Sequence, residues 1–236
     1  MTASLPVCAR AGQAMQRRAA ATPQATRARV SKGGSYTGFN FRTPLFIVSI
    51  TPPLSRPALR AQLRALRERF TSSPEVAAAE PALAQALTAL VARLEPECLG
   101  IYWPMRSEFN AAPLWHDDRV GTSFHIALPF AQREPRQMHY RLWDGAAPRL
   151  QDECGIAASD GAAVVPDVVL VPCVGFTRSG YRLGYGGGYF DSWLAAHPHV
   201  TAVGVAWAVS EINEAEFAAE PHDQPLTLIV TERGVV

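Results

Sequence analysis

The sequence predicts an α/β fold, a three-layer α/β/α domain around a mainly parallel sheet. Short apolar runs near residues 98–103, 123–128, 138–142, 167–171, 202–207 and 226–230 have the length and content of buried strands. Helical patterns stand before the first run and after 167–171, so helices and strands partly alternate. With 236 residues, 48% of them hydrophobic, and a mean hydropathy near zero, the chain can bury one sizeable core and carry an appendage.

Residues 1–54 are that appendage. They are rich in Ala, Arg, Ser and Thr and free of acids: the first is Glu68, while Lys32 and ten arginines lie between Arg10 and Arg67. An organelle transit segment, a basic nucleic-acid arm and a start placed too far upstream all fit this composition. Against a transit segment, Phe41 to Ile50 reads as strand-like, with Pro52-Pro53 behind it. No aromatic interleaving supports a nucleic-acid arm. The expectation is a disordered or misplaced extension before a domain spanning 55–236. Beyond Glu68 the 21 acids meet only 11 basic residues, which makes the domain a poor general nucleic-acid binder. Cys8, Cys98, Cys154 and Cys173 form no C-x-x-C and no metal spacing with the six histidines. A reducing, cytoplasmic setting follows, with no membrane-length apolar run and a monomer favoured.

Ser55 to Arg69 reads as a helix, with Ser55 as cap and Pro57 in the first turn. Leu59, Leu63, Leu66 and Phe70 make its apolar stripe; Arg60, Arg64, Arg67 and Glu68 then fall on a solvated basic face. Pro74 to Leu94 is a second, Ala/Leu-rich packing helix. Cys98 to Trp103 is a strand ending at Pro104, followed by Met105-Arg106-Ser107-Glu108-Phe109. Taken alone, Glu108 there is a surface acid beside a half-buried Trp103. Ala111 to Arg119 suits a crossover helix, and Ser123 to Leu128 a strand closed by Pro129. His139 reads as structural.

The chain is organised around Phe176 to Asp191, FTRSGYRLGYGGGYFD, which joins the run Val168–Val171 to a short helix at Tyr189–Leu194. Gly184, Gly186, Gly187 and Gly188 let backbone N–H groups approach a ligand, and the following helix adds its positive end. Arg182 supplies a forked cation and Asp191 a carboxylate suited to Mg²⁺ against phosphate oxygens. An ordinary glycine-rich turn is the other reading. The loop is neither a dinucleotide fingerprint, since Tyr189 stands at the last glycine position, nor a P-loop, since Lys32 is the only lysine in the chain.

Val171-Pro172, Gly175-Phe176, Gly180, Arg182-Leu183-Gly184-Tyr185-Gly186, Gly188-Tyr189 and Asp191 together resemble the signature of the 5-formyltetrahydrofolate cyclo-ligases, also called 5,10-methenyltetrahydrofolate synthetases. The resemblance covers most of 56–235. It extends to Arg56-x-x-Leu59-Arg60, to Leu128-Pro129 and Met138-His139-Tyr140, and to the terminal His222-Asp223 and Thr231-Glu232. It implies ATP- and Mg²⁺-dependent cyclisation of 5-formyltetrahydrofolate, with Arg182 and Tyr189 at the chemistry. Arg56, Arg60 and Arg182 through Phe190 (Leu183, Gly184, Tyr185, Gly186, Gly187, Gly188 and Tyr189 included) would bind ATP. Trp103 and Glu108 would hold the pterin, and Asp191 and Asp223 the metal; outside the resemblance, Asp223 reads as a turn residue. Departures stand at Arg56, where a lysine is usual, and at Ala157, Ala158, Thr177 and Ser192. They keep open a non-catalytic relative that binds folate or nucleotide. Fold analogy alone adds a sugar-phosphate isomerase or an acyl-CoA enzyme.

Overall fold

The computed structural model of the protein describes residues 54–115 and 124–236, so the strand-like stretch Phe41 to Ile50 lies outside the described residues. The chain runs α1 (Arg56–Thr71), α2 (Val76–Leu94), β1 (Cys98–Gly100), β2 (His125–Gln132) and β3 (Gln137–Trp143). Short strands β4 (Leu150–Gln151), β5 (Ala157–Ala158) and β6 (Ala163–Val164) lead to β7 (Val168–Pro172). A small hairpin, β8 (Gly175–Phe176) with β9 (Arg182–Leu183), precedes α3 (Tyr189–Ala196), β10 (Thr201–Val205), β11 (Leu228–Thr231) and β12 (Gly234–Val235).

Eight strands form one sheet in the order β12-β11-β10-β7-β1-β2-β3-β6. From β11 through β2 every pairing is parallel, and β12, β3 and β6 join antiparallel. Strand alternation then decides which helix covers which face. On β7, Val168 and Leu170 pack with Leu83, Leu87 and Leu90 of α2, while Val169 and Val171 pack with Trp193 and Leu194 of α3. The three-layer α/β/α reading of the sequence is therefore the fold. Losing a fully buried side chain such as Leu83 to alanine would cost about 3 kcal/mol through transfer and cavity terms.

Three local readings change. Ser55 takes the N-cap position of α1 with extended backbone, but its side chain makes no capping hydrogen bond. Strand β2 is not closed by Pro129 and continues to Gln132. Ala127 offers its carbonyl to Ile101 on the β1 side, and Pro129, two residues on, points the same way. There β1 has already ended, so no donor is missed. Of the crossover helix expected over Ala111 to Arg119, the described part, residues 111–115, is a 3₁₀ turn at Ala112–Leu114 after which Trp115 leaves helical backbone with its ring buried in the core. Residues 116–123 lie outside the described residues. No helix among the described residues is long and apolar enough to cross a membrane.

Candidate active site

A cavity of about 780 Å³ opens beyond the carboxyl ends of β1 and β7, where parallel sheets present ligand sites. Helix α1 lies along it, held by Leu59 and Leu63 against Val174, Leu183 and Ile212. That packing turns Arg56 and Arg60 into the cavity from successive turns.

At this end the wall is the loop 184–188. Gly186 has φ +95°, a conformation that strains any other residue, and an added Cβ would lie 3.3 Å from Arg60 Cζ. A Cβ on Gly184 would lie 2.6 Å from Arg182 Nη1, so the guanidinium and the backbone can meet only without a side chain there. Arg60 Nε donates to the Gly184 carbonyl at 2.8 Å. Gly188 occupies the N-cap of α3 with φ +69° and offers no capping side chain. The first-turn amides of α3 are thereby left to a ligand.

Arg182 is buried, and its Nη2 stands 3.0 Å from Asp191 Oδ1. The contact is one of charge rather than an aligned hydrogen bond: Nε and Nη2 are both buried without a hydrogen-bond partner. Unused donors on a buried guanidinium are what an anion would complete. Phe190 lies beneath, its ring centre 5.5 Å from the guanidinium carbon. Arg56 grips both carboxylate oxygens of Asp223, with Nη1 to Oδ1 at 3.1 Å, and its Nε stands 3.1 Å from Glu220 Oε1. Burial works against the charge on Asp223, yet the Arg56 hydrogen bonds prevail and hold its carboxyl below the usual range.

The far end is built differently. Trp103 stands edge-on to Trp143, ring centres 6.1 Å apart, and walls the cavity beside Tyr102 and Met105. The Glu108 side chain is only 3% exposed. Its Oε2 accepts from the Met105 amide at 2.7 Å, whereas Oε1 is buried with no hydrogen-bond partner. Burial pushes this carboxyl up, opposed by the Met105 amide, Arg67 and Tyr185. Tyr189 also lines the cavity, and Cys154 Sγ lies 3.4 Å from its hydroxyl. The contact with Cys154, then burial, pushes the Tyr189 phenol up.

Every residue expected to bind ATP, pterin or metal lines this cavity except Leu183, whose side chain is fully buried in the α1 contact. Sequence reasoning missed Arg136, which lines the cavity with Nη2 3.4 Å from a Cβ added at Gly188, and Gln224, whose amide donates to Asp191 at 3.4 Å. Arg136 has no marked neighbour in sequence, whereas Gln224 directly follows Asp223 and acts through its backbone amide, which its residue type does not announce. Arg67 is the sharper correction: expected on a solvated face, it is 1% exposed. Leu59, Leu63 and Arg67 share one face at i, i+4 and i+8, so the inward stripe ends on a cation.

Mg²⁺ takes hard oxygen ligands, often one or two carboxylates with the rest from substrate phosphates. Asp191 and Asp223 on one cavity wall fit that pattern, although Asp223 must first release Arg56. Among the described residues no group of three or more His, Cys, Asp or Glu could hold a metal by itself.

Residues 54–232 match the model of the 5-formyltetrahydrofolate cyclo-ligase family. A 5-formyltetrahydrofolate cyclo-ligase of Mycolicibacterium smegmatis is 42% identical over 71 residues, covering 30% of this chain and 36% of that protein. The chain spans little more than a third of the length of the curated relatives it matches. Among solved structures, a 5,10-methenyltetrahydrofolate synthetase from Mycoplasma pneumoniae is 19% identical with a TM-score of 0.59, covering 76% of this chain and 99% of that one. The Aquifex aeolicus 5,10-methenyltetrahydrofolate synthetase is 24% identical with a TM-score of 0.61, covering 77% and 92%. At such identities these two speak for the fold.

Proposed function

The chain belongs to the 5-formyltetrahydrofolate cyclo-ligase family, and from that premise we propose that it uses ATP to cyclise 5-formyltetrahydrofolate to 5,10-methenyltetrahydrofolate, releasing ADP and phosphate. One observation carries the reading: a single cavity has a cationic, glycine-walled end and an aromatic end floored by a carboxylate with an unanswered oxygen. The first suits phosphates. The second suits a reduced pterin, whose 2-amino group and N3–H are adjacent donors.

The chemistry asks for alignment more than for a reactive side chain. The N5-formyl oxygen is a poor leaving group until it accepts the γ-phosphoryl group of ATP, with departure of ADP. N10 then attacks the activated carbon, the oxygen leaves within phosphate, and the N10 proton passes to the departing phosphate or to water. Arg182, Arg60 and the 184–188 backbone hold the phosphates and answer charge as it shifts between them. Asp191 and Asp223 would hold Mg²⁺, which when bound supplies further charge neutralisation at the phosphate oxygens. Trp103 and Glu108 fix the pterin so that the formyl oxygen faces the γ-phosphate, and Tyr189 lines the same cavity.

The test is the absorbance of methenyltetrahydrofolate formed from 5-formyltetrahydrofolate, with ATP and Mg²⁺ supplied together and singly. Product should form only with both. Tight binding of both substrates without product would instead identify a non-catalytic relative. Phosphate binding indifferent to ATP and Mg²⁺ would point to another reaction class.

A further inference from the structure

Arg67 does not line the large cavity, yet it is a fully buried charge with hydrogen-bond partners on every side of its guanidinium. From α1 its Nε donates to Ser107 Oγ at 3.0 Å, its Nη1 to the Cys173 carbonyl at 3.3 Å and its Nη2 to the Tyr185 hydroxyl at 2.6 Å. Those partners belong to three segments: the turn after β1, the end of β7 and the glycine-rich loop. The Nη1 atom also stands 4.0 Å from the unanswered Glu108 Oε1. A guanidinium buried to this degree is costly unless fully engaged, and its planar fork can reach three segments at once where an ammonium cannot.

We propose that Arg67 is a positioning residue for the folate end of the site, aiming the Glu108 carboxylate from below and keeping it ionised while fixing Tyr185 beside it. The proposal rests on the reading of Glu108 as the pterin's partner. Four titratable groups face Glu108: Arg67 from α1, Tyr185 from the glycine-rich loop, Tyr102 after β1 and Cys173 after β7. Burial pushes Tyr102 up and Cys173 up to about 12, so both are neutral at physiological pH, and Arg67 is the only charge among the four. The Arg67 and Glu108 side chains are 2% and 3% exposed, and the gap they line with Tyr102 and Trp207 is about 10 Å³, room for one water at most. Bulk solvent therefore does little to screen the pair. Without the cation, burial would be opposed only by the Met105 amide and Tyr185, and the Glu108 carboxyl would protonate at higher pH. A protonated carboxyl loses acceptor capacity toward the adjacent donors of the pterin.

The experiment is calorimetric binding of 5-formyltetrahydrofolate to the full chain between pH 5 and 8.5, for the wild type, Arg67→Met, Ser107→Ala and Glu108→Gln. Wild-type affinity should fall as the pH drops through the Glu108 transition. Arg67→Met should move that midpoint up by about one pH unit and weaken binding about tenfold at intermediate pH, and Arg67→Lys should recover part of the shift. An unchanged midpoint in Arg67→Met overturns the proposal. Should Arg67→Met fail to fold, Ser107→Ala decides: it keeps both charges but frees Nε, and should weaken folate binding about threefold, in line with one lost hydrogen bond to a charged donor that is partly replaced by water. Unchanged affinity there overturns the proposal as well. Glu108→Gln separates this inference from its premise. If that variant binds folate normally, the pterin assignment itself fails; if it binds poorly while the Arg67→Met midpoint stays put, only the role of Arg67 fails.

Discussion

At the glycine-walled end of the cavity two cations already stand against carboxylates, Arg182 facing Asp191 and Arg56 gripping Asp223, although two Arg182 donors make no hydrogen bond. At the aromatic end a carboxylate is buried with one oxygen unanswered and a cation held behind it. On the proposed function the first end would exchange carboxylate partners for phosphate and metal at little electrostatic cost, because each paired charge would stay answered throughout. The second is prepaid: its desolvation is already in the folded state, so a ligand that brings donors gains their full value. Binding at one end is thus an exchange, and at the other a completion.

Breaking the exchange end should have the largest effect. Gly186→Val forces a β-branched residue to φ +95° and puts its Cβ against Arg60, which should abolish ATP binding in calorimetry while the circular dichroism of the fold persists. ATP bound with wild-type affinity would reduce the loop to a turn. Asp191→Asn should spare ATP affinity within a few-fold yet lower Mg²⁺-dependent turnover by about two to three orders of magnitude. At the completion end, Glu108→Gln should raise the folate KM about tenfold and leave the ATP KM alone, since one acceptor becomes a mixed donor and acceptor. Parallel changes in both KM values would mean that the two ends are not distinct.

How legible each end was in the sequence follows from the same contrast. The glycine-walled end depends on backbone freedom at Gly184, Gly186 and Gly188, and those glycines lie within five residues of one another. Cations and carboxylates stood beside them, so resemblance and chemistry agreed on one stretch. The aromatic end is assembled by tertiary packing, and Arg67 shows why it was harder to see. Its helical spacing places it with Leu59 and Leu63, but an arginine at that position reads as solvated unless its buried partners on three other segments are known. The sheet was legible because alternation along β7 matches two covered faces. Strand β2 was cut short at Pro129 because the end of β1, which leaves the missing N–H without consequence, is a property of its neighbour.

Smaller effects sharpen the comparison. The folded-state carboxyl of Asp223 is depressed, so its pairing with Arg56 stabilises the fold above the ordinary aspartate value of 3.8 and loses that contribution as pH falls through the lower folded value. Asp223→Asn should therefore melt a few degrees below wild type at pH 7, about 1 kcal/mol for a partly exposed pair, with the gap closing toward pH 3. A gap that stays constant with pH would mean that the carboxylate charge contributes nothing. The smallest effect belongs to residues 1–52: a chain starting at Pro53 should keep its melting temperature and turnover. A folding defect would place Phe41 to Ile50 within the domain.

The central claim is that the cavity brings the γ-phosphate of ATP onto the formyl oxygen. Turnover of 5-formyltetrahydrofolate labelled with ¹⁸O in the formyl group, followed by mass spectrometry of the released phosphate, tests it directly. One labelled oxygen should appear in phosphate for each methenyltetrahydrofolate formed. Label released into water, with unlabelled phosphate, would contradict the account.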